Sequence, residues 1–359
     1  MHAEERLNLI LSRVRRDGSM RITDVSGELG VSPVTVRKDV DILAERGLVA
    51  RVHGGAMRLD GLPDPASTSP EHPAEGAAPA EGPRTLGMIV PSSVYYYPEV
   101  IKGAKETAAA HGVRLSLAVS DYRPEAESLQ AARMVEDGVA GLLLAPSPVT
   151  PAPDASARAW YDSLGVPFVL VERRPANEAA ADHVGTDHAY GAGLAVRHLL
   201  GGGRRGIALL MRGGTPTAPW ILEGYRAAMQ AADLPQTVID LGGGARGEGP
   251  YEKGVSEFLA GVREGGLDAA LVHPENDAMV LLQRLRAESL AVPDDVALVS
   301  YDDEVAELAD LPLTAVAPSK HEVGVTAVEL LLRRLAEPGR PRRRVAILPE
   351  LRVRASSVV

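Results

Sequence analysis

Short apolar runs alternate with amphipathic stretches of helical length along most of the chain. The runs occupy residues 86–90, 115–119, 141–145, 168–171, 207–211, 269–272 and 296–300. Strands that alternate with helices in this way form a parallel sheet in which the helices are the crossover connections. The pattern therefore predicts an α/β body over residues 85–359, which is long enough for two lobes.

The start of the chain has a different, helical pattern. Apolar residues at helical spacing predict three helices, and the third begins at Ser32, a capping hydroxyl that is followed by a proline. Thr35, Arg37 and Lys38 lie near the start of this helix, away from its apolar stripe. Two helices joined by a short glycine turn, the second cationic at its start, are typical of a helix-turn-helix that enters the major groove.

Two further segments complete the organisation. Residues 48–55 predict a short hairpin, or wing, after the third helix. Residues 59–84 contain six prolines and show no apolar periodicity, so they predict an extended linker. We therefore divide the chain into a head, residues 1–58, the linker, and the body.

Composition and charge narrow the classes of protein. The 359 residues are 45% hydrophobic and contain no cysteine, which excludes disulfide scaffolds, thiolate zinc sites and cysteine nucleophiles. The head holds ten basic and eight acidic residues, whereas the rest holds 28 and 40, so a polyanionic partner is expected for the head alone. With no apolar stretch near bilayer length and no signal-peptide pattern, we expect a cytoplasmic protein.

Motifs for cofactors and catalysis are missing from the sequence. The two triple-glycine segments lack the Gly-Lys-Ser/Thr ending of a phosphate-binding loop, and no Gly-x-Ser-x-Gly motif is present. His183 and His188 have no partner carboxylate at metal-ligand spacing. We therefore expect no cofactor, no metal and no catalytic residue.

Polar and aromatic residues follow several predicted strands of the body. Tyr96 and Tyr97 follow the first, and Arg173, Asp277 and Asp302 follow later ones. Parallel strands bind ligands beyond their carboxyl ends, and sugars offer C–H faces to aromatic rings and hydroxyls to charged groups. The pattern favours a carbohydrate site, although each residue alone is equally explained by loop packing, a helix cap or a surface ion pair.

The head resembles the winged-helix DNA-binding domain of DeoR-type regulators. Residues 31–40, the Gly-Leu pair that ends the helix, and the Arg-Val-His-Gly-Gly-Ala segment carry the resemblance. It implies that the third helix reads DNA, with contacts by Ser32, Thr35, Arg37 and Lys38, and that Arg51 and His53 contact the backbone. Lys38 stands where arginine is usual, which keeps the charge but loses bidentate pairing.

The body resembles the sugar-sensing domain of LacI-type repressors, which is similar to periplasmic binding proteins. Segments that carry the resemblance are residues 96–104, 138–144, 166–173, 184–187, 276–277, 292–296, 301–303 and 312–316. The resemblance implies that Tyr96 and Tyr97 stack on the ligand and Arg173 clamps it. It further implies that Asp277 and Asp302 bind the ligand's hydroxyls, that Trp220 closes an aromatic sandwich and that Ser147 is a further contact. It also suggests one lobe of residues 85–175 with 300–318, and a second of 188–298 with 319–359.

These observations predict a ligand-responsive transcriptional regulator. We expect a homodimeric repressor of a carbohydrate-utilisation operon, which binds double-stranded operator DNA and responds to a sugar or related polar effector. The combination is unusual, because heads of this type more often accompany a phosphosugar-binding body. Alternatives are a sugar-modifying or ATP-using enzyme with a regulatory DNA-binding head, and a DNA-binding protein that has no ligand. The effector, its direction of action and the operator sequence stay open.

Overall fold

The computed structural model describes residues 10, 13–14, 19–29, 31–45, 50–52, 55–57, 84–147, 160–173, 181–242 and 249–358. The chain divides into two compact units near residue 80. The predicted linker lies outside the described residues apart from Arg84. Within the described part of the chain, no helix is both long and apolar enough to cross a bilayer.

The described part of the smaller unit contains two helices and a three-stranded antiparallel sheet, and residues 10, 13 and 14 of the predicted first helix are also helical. Its elements are β1 (Ser19–Arg21), α1 (Ile22–Leu29), α2 (Pro33–Glu45), β2 (Ala50–Val52) and β3 (Gly55–Met57), and the strand order is β1-β3-β2. The backbone N–H of Thr35 donates to Ser32 Oγ at 3.1 Å, which confirms the predicted cap of the third helix, here α2. The hairpin of the wing is confirmed as β2 and β3, whereas β1 was not predicted.

The larger unit holds two six-stranded sheets. Its strands are β4 (Thr85–Val90), β5 (Arg114–Val119), β6 (Gly141–Leu144), β7 (Phe168–Val171), β8 (Asp182–Thr186), β9 (Ile207–Met211), β10 (Thr237–Asp240), β11 (Ala269–His273), β12 (Ala297–Tyr301), β13 (Thr314–Ala317), β14 (Arg344–Ile347) and β15 (Glu350–Arg352). Its helices include α3 (Tyr97–Ala110), α4 (Pro124–Glu136), α5 (His188–Gly201), α6 (Ala218–Ala231), α7 (Gly249–Arg263), α8 (Glu275–Ala287) and α9 (Lys320–Ala336).

Each sheet forms the centre of one lobe. The first has the order β14-β8-β7-β6-β4-β5 with all neighbours parallel, and the second has the order β10-β9-β11-β12-β13-β15, in which only the pairing of β15 is antiparallel. Strands such as β6, β9 and β11 are buried along their whole length, as expected for sheets covered by helices on both faces. The α/β fold with parallel sheets predicted for the body is therefore confirmed.

The chain passes between the lobes three times, and the predicted division was wrong for residues 300–318 and for α9 and β14, whereas β15 lies in the second lobe as expected. Residues 300–318 were expected in the first lobe, but β12 and β13 pair in the second sheet. Residues 319–359 were expected in the second lobe, but α9 packs its apolar face into the core of the first and β14 pairs with β8. The hydrophobic pattern identifies which strands and helices are buried. It does not show which of the two sheets they join, because both sheets are similarly apolar.

Two glycines allow α9 to approach α3 closely. A Cβ atom at Gly103 would lie 2.1 Å from the carbonyl oxygen of His321, and one at Gly324 would lie 2.0 Å from that of Val100. Only glycine fits such backbone contacts. They fix the first turn of α9, and with it Lys320, at the boundary between the lobes.

Candidate functional site

Side chains at or after the ends of β4, β7 and β8 form one hydrogen-bonded group at the boundary between the lobes. Tyr96, after β4, donates its hydroxyl to Glu172 Oε1 at 2.7 Å and lies 3.2 Å from Thr186 Oγ1. Thr186, at the end of β8, donates its hydroxyl and its backbone N–H to the same carboxylate at 2.9 and 3.2 Å. Glu172 follows β7 with a φ of +63°, an uncommon backbone conformation for this residue.

His188 connects this group to the second lobe. Its Nε2 lies 3.6 Å from Glu172 Oε2, and its Nδ1 lies 3.1 Å from the hydroxyl of Tyr301 on β12. Burial raises the pKa of Glu172, but the hydrogen bonds from His188, Tyr96 and the Thr186 backbone outweigh it and hold that pKa below its ordinary value. Glu172 is therefore a buried, ionised acceptor beside an imidazole.

A polar cavity of about 220 Å³ opens beside these residues. Its lining residues are Glu172, Thr186, Asp187, His188, Ala189, Trp220 and Glu223. Glu172 and Thr186 belong to the first lobe, Asp187 and His188 form a crossover, and Trp220 and Glu223 lie on α6 of the second lobe. The cavity thus lies between the lobes, where a bound molecule contacts both.

Asp302 contributes a second buried carboxylate at the boundary. Only 7% of it is exposed, its φ is +77°, and no described residue donates a hydrogen bond to its carboxylate. Burial raises its pKa to about 6, Lys320 and His188 act in the opposite direction, and other carboxylates add to the rise. Asp302 is thus a buried carboxylate whose capacity to accept hydrogen bonds is not used by the described residues.

Asp277 is placed at the start of α8 but has a protein partner. Arg212 donates to it twice, from Nε at 2.6 Å and from Nη2 at 3.1 Å. The Arg212 guanidinium also lies 5.5 Å from the ring centre of Tyr251. This bidentate pair holds the loop after β9 against α8.

Tyr97 and Ser147 are engaged inside the first lobe. Tyr97 is only 4% exposed and belongs to the hydrophobic core, with its ring edge-on to Tyr96 at 5.5 Å between ring centres. The hydroxyl of Ser147 lies 2.9 Å from that of Ser120, and both are buried. The structure therefore leaves no free face on Tyr97 for stacking and places neither residue in the cavity lining.

Arg173 is not among the described residues that line the cavity. Its guanidinium donates to the carbonyl oxygen of Pro146 and lies 5.2 Å from the ring centre of Tyr122. Because Glu172 precedes it in a left-handed conformation, the glutamate, and not the arginine, enters the lobe boundary. The residue expected to clamp the ligand is thus part of the first lobe's own packing.

The predicted DNA contacts are described in part. The hydroxyls of Ser32 and Thr35 lie 2.8 Å apart, and Arg37 and Lys38 are exposed on α2. Arg51 lies in the strand β2 of the wing. His53 lies outside the described residues.

Residues outside the predicted ligand contacts complete the boundary. Tyr95 donates its hydroxyl to Glu275 Oε2 at 2.9 Å, and Glu275 also accepts from the backbone N–H groups of Val305 and Ala306. Lys320 pairs with Glu304 and lies 4.7 Å from the ring centre of Tyr96. Tyr95 and Glu172 adjoin residues that the sequence did single out. Lys320, Glu304 and Arg212 gave no local signal. Within the described ranges, no His, Asp and Glu side chains are grouped to hold a metal ion.

The Tyr95–Glu275 bond joins the lobes directly, so its loss has a measurable effect. We expect Tyr95→Phe to lower the free energy of unfolding by about 1.5–3 kcal/mol, because the hydroxyl donates to a charged acceptor. Urea denaturation of the wild type and variant measures this difference. Tyr122→Phe is the matched control, since the Tyr122 side chain is 54% exposed. Equal losses in the two variants would contradict an interlobe role for Tyr95.

Comparison with known proteins gives a family match for each of the two units. The model of a DeoR-like helix-turn-helix domain matches residues 6–61, and that of a periplasmic binding protein-like domain matches residues 196–357. The chain is 25% identical over 320 residues to an arabinose metabolism transcriptional repressor of Geobacillus stearothermophilus, covering 88% of this chain and 84% of that protein. It is 27% identical over 342 residues to the ribose operon repressor of Escherichia coli K12, covering 93% and 98%.

The fold of the body is also found in a solved structure. A LacI family transcriptional regulator from Enterococcus faecium, crystallised with bound ribose, aligns with a TM-score of 0.61 and 22% identity, over 77% of this chain and 99% of that one. The chain therefore joins a DeoR-like helix-turn-helix domain to a periplasmic binding protein-like domain of the LacI type, the architecture of a ligand-responsive transcriptional regulator.

Proposed function

We propose that this protein represses a carbohydrate-utilisation operon and that a sugar or related small polar effector changes its affinity for operator DNA. The observation that carries the proposal is the polar cavity between the lobes, which combines an indole ring with several hydrogen-bonding groups. Two relatives are named as repressors of ribose and arabinose genes, which supports this class of effector.

On the ligand side, Trp220 contacts the effector in the cavity and Tyr96 and Asp302 contact it at the adjoining boundary. Asp277 acts through its pair with Arg212. Tyr97, Ser147 and Arg173 support the site from within the first lobe. A molecule that binds both lobes favours their closed arrangement, and operator affinity changes by the difference in ligand affinity between the two forms.

On the DNA side, the start of α2 enters the major groove. Ser32, Thr35, Arg37 and Lys38 make the contacts there, and Arg51 and His53 of the wing lie near phosphates. A homodimer presents two heads to a palindromic operator. The protein acts by binding alone, and incubation with ATP and sugars is expected to give no turnover.

Arg37→Ala tests this function. We expect operator affinity to fall by about 5- to 150-fold, because a bidentate base contact contributes about 1–3 kcal/mol. Gel shifts on DNA upstream of the encoding operon measure the loss, and thermal shifts with a sugar panel measure the effector response of the body, which is expected to be unchanged. The control is Arg333→Ala, which removes an exposed arginine of the body. Loss of both activities in Arg37→Ala would contradict separate DNA-binding and ligand-binding units.

A further inference from the structure

Positive charge is concentrated at one corner of an acidic body. The chain after residue 58 carries 28 basic and 40 acidic residues, yet three consecutive arginines, Arg342, Arg343 and Arg344, stand at the start of β14. All three are exposed. We call these three side chains the β14 patch.

The backbone that carries the patch is anchored by a buried ion pair. Arg334 Nε donates to Asp182 Oδ2 at 2.9 Å, and the same guanidinium donates to three carbonyl oxygens of residues 338–341. The second carboxylate oxygen of Asp182 accepts from the backbone N–H of Arg343 at 2.7 Å. Because these bonds fix the backbone and leave the side chains in solvent, a partner can bind the patch at little cost in backbone ordering.

The protein neutralises little of the charge of the patch. Arg342 Nη1 lies 3.9 Å from Asp182 Oδ2, but that carboxylate is already paired with Arg334. Within the described ranges, no carboxylate lies at ion-pair distance from the guanidinium of Arg343 or Arg344. Arginine is the side chain whose planar donors fit a phosphate group, so the patch is suited to a partner that carries phosphates.

Other described acidic residues at the same end of the first sheet do not adjoin the patch. Glu136 and Asp137 precede β6, and Asp162 precedes β7. With neighbouring strands about 4.8 Å apart, β7 and β6 lie about 10 and 14 Å from β14, where salt screens exposed charges. Glu337, which precedes the anchored segment, is one negative charge against three positive ones. The patch therefore keeps a net positive charge.

The position of the patch connects it to the chain that arrives from the head. All neighbours in the first sheet are parallel, so its strands begin at one end and finish at the lobe boundary. Arg344 at the start of β14 and Thr85 at the start of β4 share the first of these ends, about 19 Å apart across the sheet. The predicted linker leads directly into β4, and such a tether keeps the body at a high local concentration near DNA bound by the head.

We propose that the β14 patch is a second DNA-binding surface, which contacts the phosphate backbone beside the segment that the head binds. The patch goes beyond the proposed function and rests only on the DNA binding that is part of it. Its contacts are electrostatic and independent of base sequence. They strengthen binding because phosphate contacts of the body add to those of the tethered head.

Salt titrations on two duplexes test the patch. The full-length wild type and the double variant Arg343→Gln/Arg344→Gln are titrated by fluorescence anisotropy on DNA from upstream of the encoding operon and on a mixed-sequence duplex of the same length. Each lost phosphate contact makes the plot of log affinity against log salt shallower by about 0.9, which at about 0.1 M salt corresponds to up to about eightfold in affinity. We expect affinity to fall by about 5- to 60-fold for each protomer bound, by the same factor on both duplexes.

Two matched variants separate the position of the charge from net charge and from folding. Arg123→Gln/Arg226→Gln removes two exposed arginines, one beyond the other end of the first sheet and one on α6, and should leave the salt dependence unchanged. Arg343→Lys/Arg344→Lys keeps the charge of the patch and should retain most of the salt dependence. Equal losses in the lysine and glutamine variants of the patch would overturn the proposal, because charge would not be the cause.

The remaining outcomes distinguish the patch from the proposed function. If the glutamine variant of the patch keeps the wild-type salt dependence on both duplexes, the patch is overturned and the repressor function stands. If the wild type binds both duplexes equally well, operator recognition is contradicted, while the salt dependence of the variants still decides the patch. A wild type that binds neither duplex at low salt would overturn both.

Discussion

Asp302→Asn is expected to stabilise the unliganded protein at neutral pH and to abolish its response to effector. Burial raises the pKa of Asp302 from 3.8 to about 6. The folded state therefore binds more protons than the unfolded state between about pH 4 and pH 6, and the free energy of unfolding falls as the pH rises through that window. A rise of about two pKa units corresponds to a loss of about 3 kcal/mol of unfolding free energy in the wild type at neutral pH. The neutral amide of Asp302→Asn does not ionise, so the variant avoids this loss.

Urea denaturation at pH 4 and pH 7.5 measures the difference. The wild type and Asp302→Asn should differ little at pH 4, and the variant should be more stable by up to about 3 kcal/mol at pH 7.5. Asp303→Asn is a neighbouring control that should destabilise the protein at pH 7.5. Arg354 and Arg352 hold the pKa of Asp303 below its ordinary value against the effect of burial, so its ionised carboxylate is stabilising. A pH profile for Asp302→Asn that matches the wild type would show that the acid is not destabilising. A stable variant without a ligand response would show that the carboxylate is kept for binding.

Arg334→Ala is expected to cost about 3–5 kcal/mol of unfolding free energy, which is typical of breaking a buried ion pair from one side. Arg334 Nε donates to Asp182 Oδ2 at 2.9 Å, and both side chains are almost completely buried. The same guanidinium donates to the carbonyl oxygens of Pro338, Arg340 and Pro341. Its removal leaves a buried carboxylate with less compensation and releases the segment that leads into β14.

Its neighbour on α9 provides the comparison. Arg333 is exposed and lies 3.9 Å from Glu329 one helical turn away, so Arg333→Ala should change the free energy of unfolding by less than about 0.5 kcal/mol. Urea denaturation of both variants measures the contrast. Similar values for the two would mean that the Asp182 pair does not hold the first lobe together.

The pattern of apolar runs was sufficient for most strands and for the class of fold. The predicted run 86–90 corresponds to β4 (Thr85–Val90), and 207–211 corresponds to β9. β10, β14 and β15 are not among the apolar runs because they are short and partly exposed. The assignment of α9 and β13 to the two lobes was wrong because both elements are apolar and their sequences do not show which sheet they join. Their partners are set by contacts between residues that are far apart in the chain.

The candidate site shows the same limit. Residues at strand ends, such as Tyr96 and Asp302, could be named because parallel strands end at one edge of a sheet. Whether a side chain reaches the lobe boundary depends on single backbone angles. Glu172 has a positive φ and lines the cavity, whereas its neighbour Arg173, which the sequence analysis selected, is not among the described lining residues. Lys320 reaches Tyr96 only because two glycines bring α9 onto α3, a contact without a local sequence signal.

The interleaving of the two lobes affects how the protein folds during synthesis. Asp182 leaves the ribosome 152 residues before Arg334. The first sheet therefore cannot be completed by α9 and β14 until most of the second lobe has been translated. Until then, the apolar surface that α9 covers is open to solvent, where chaperones bind and aggregation begins. Translation speed and chaperone supply should therefore affect the yield of this repressor through its first lobe.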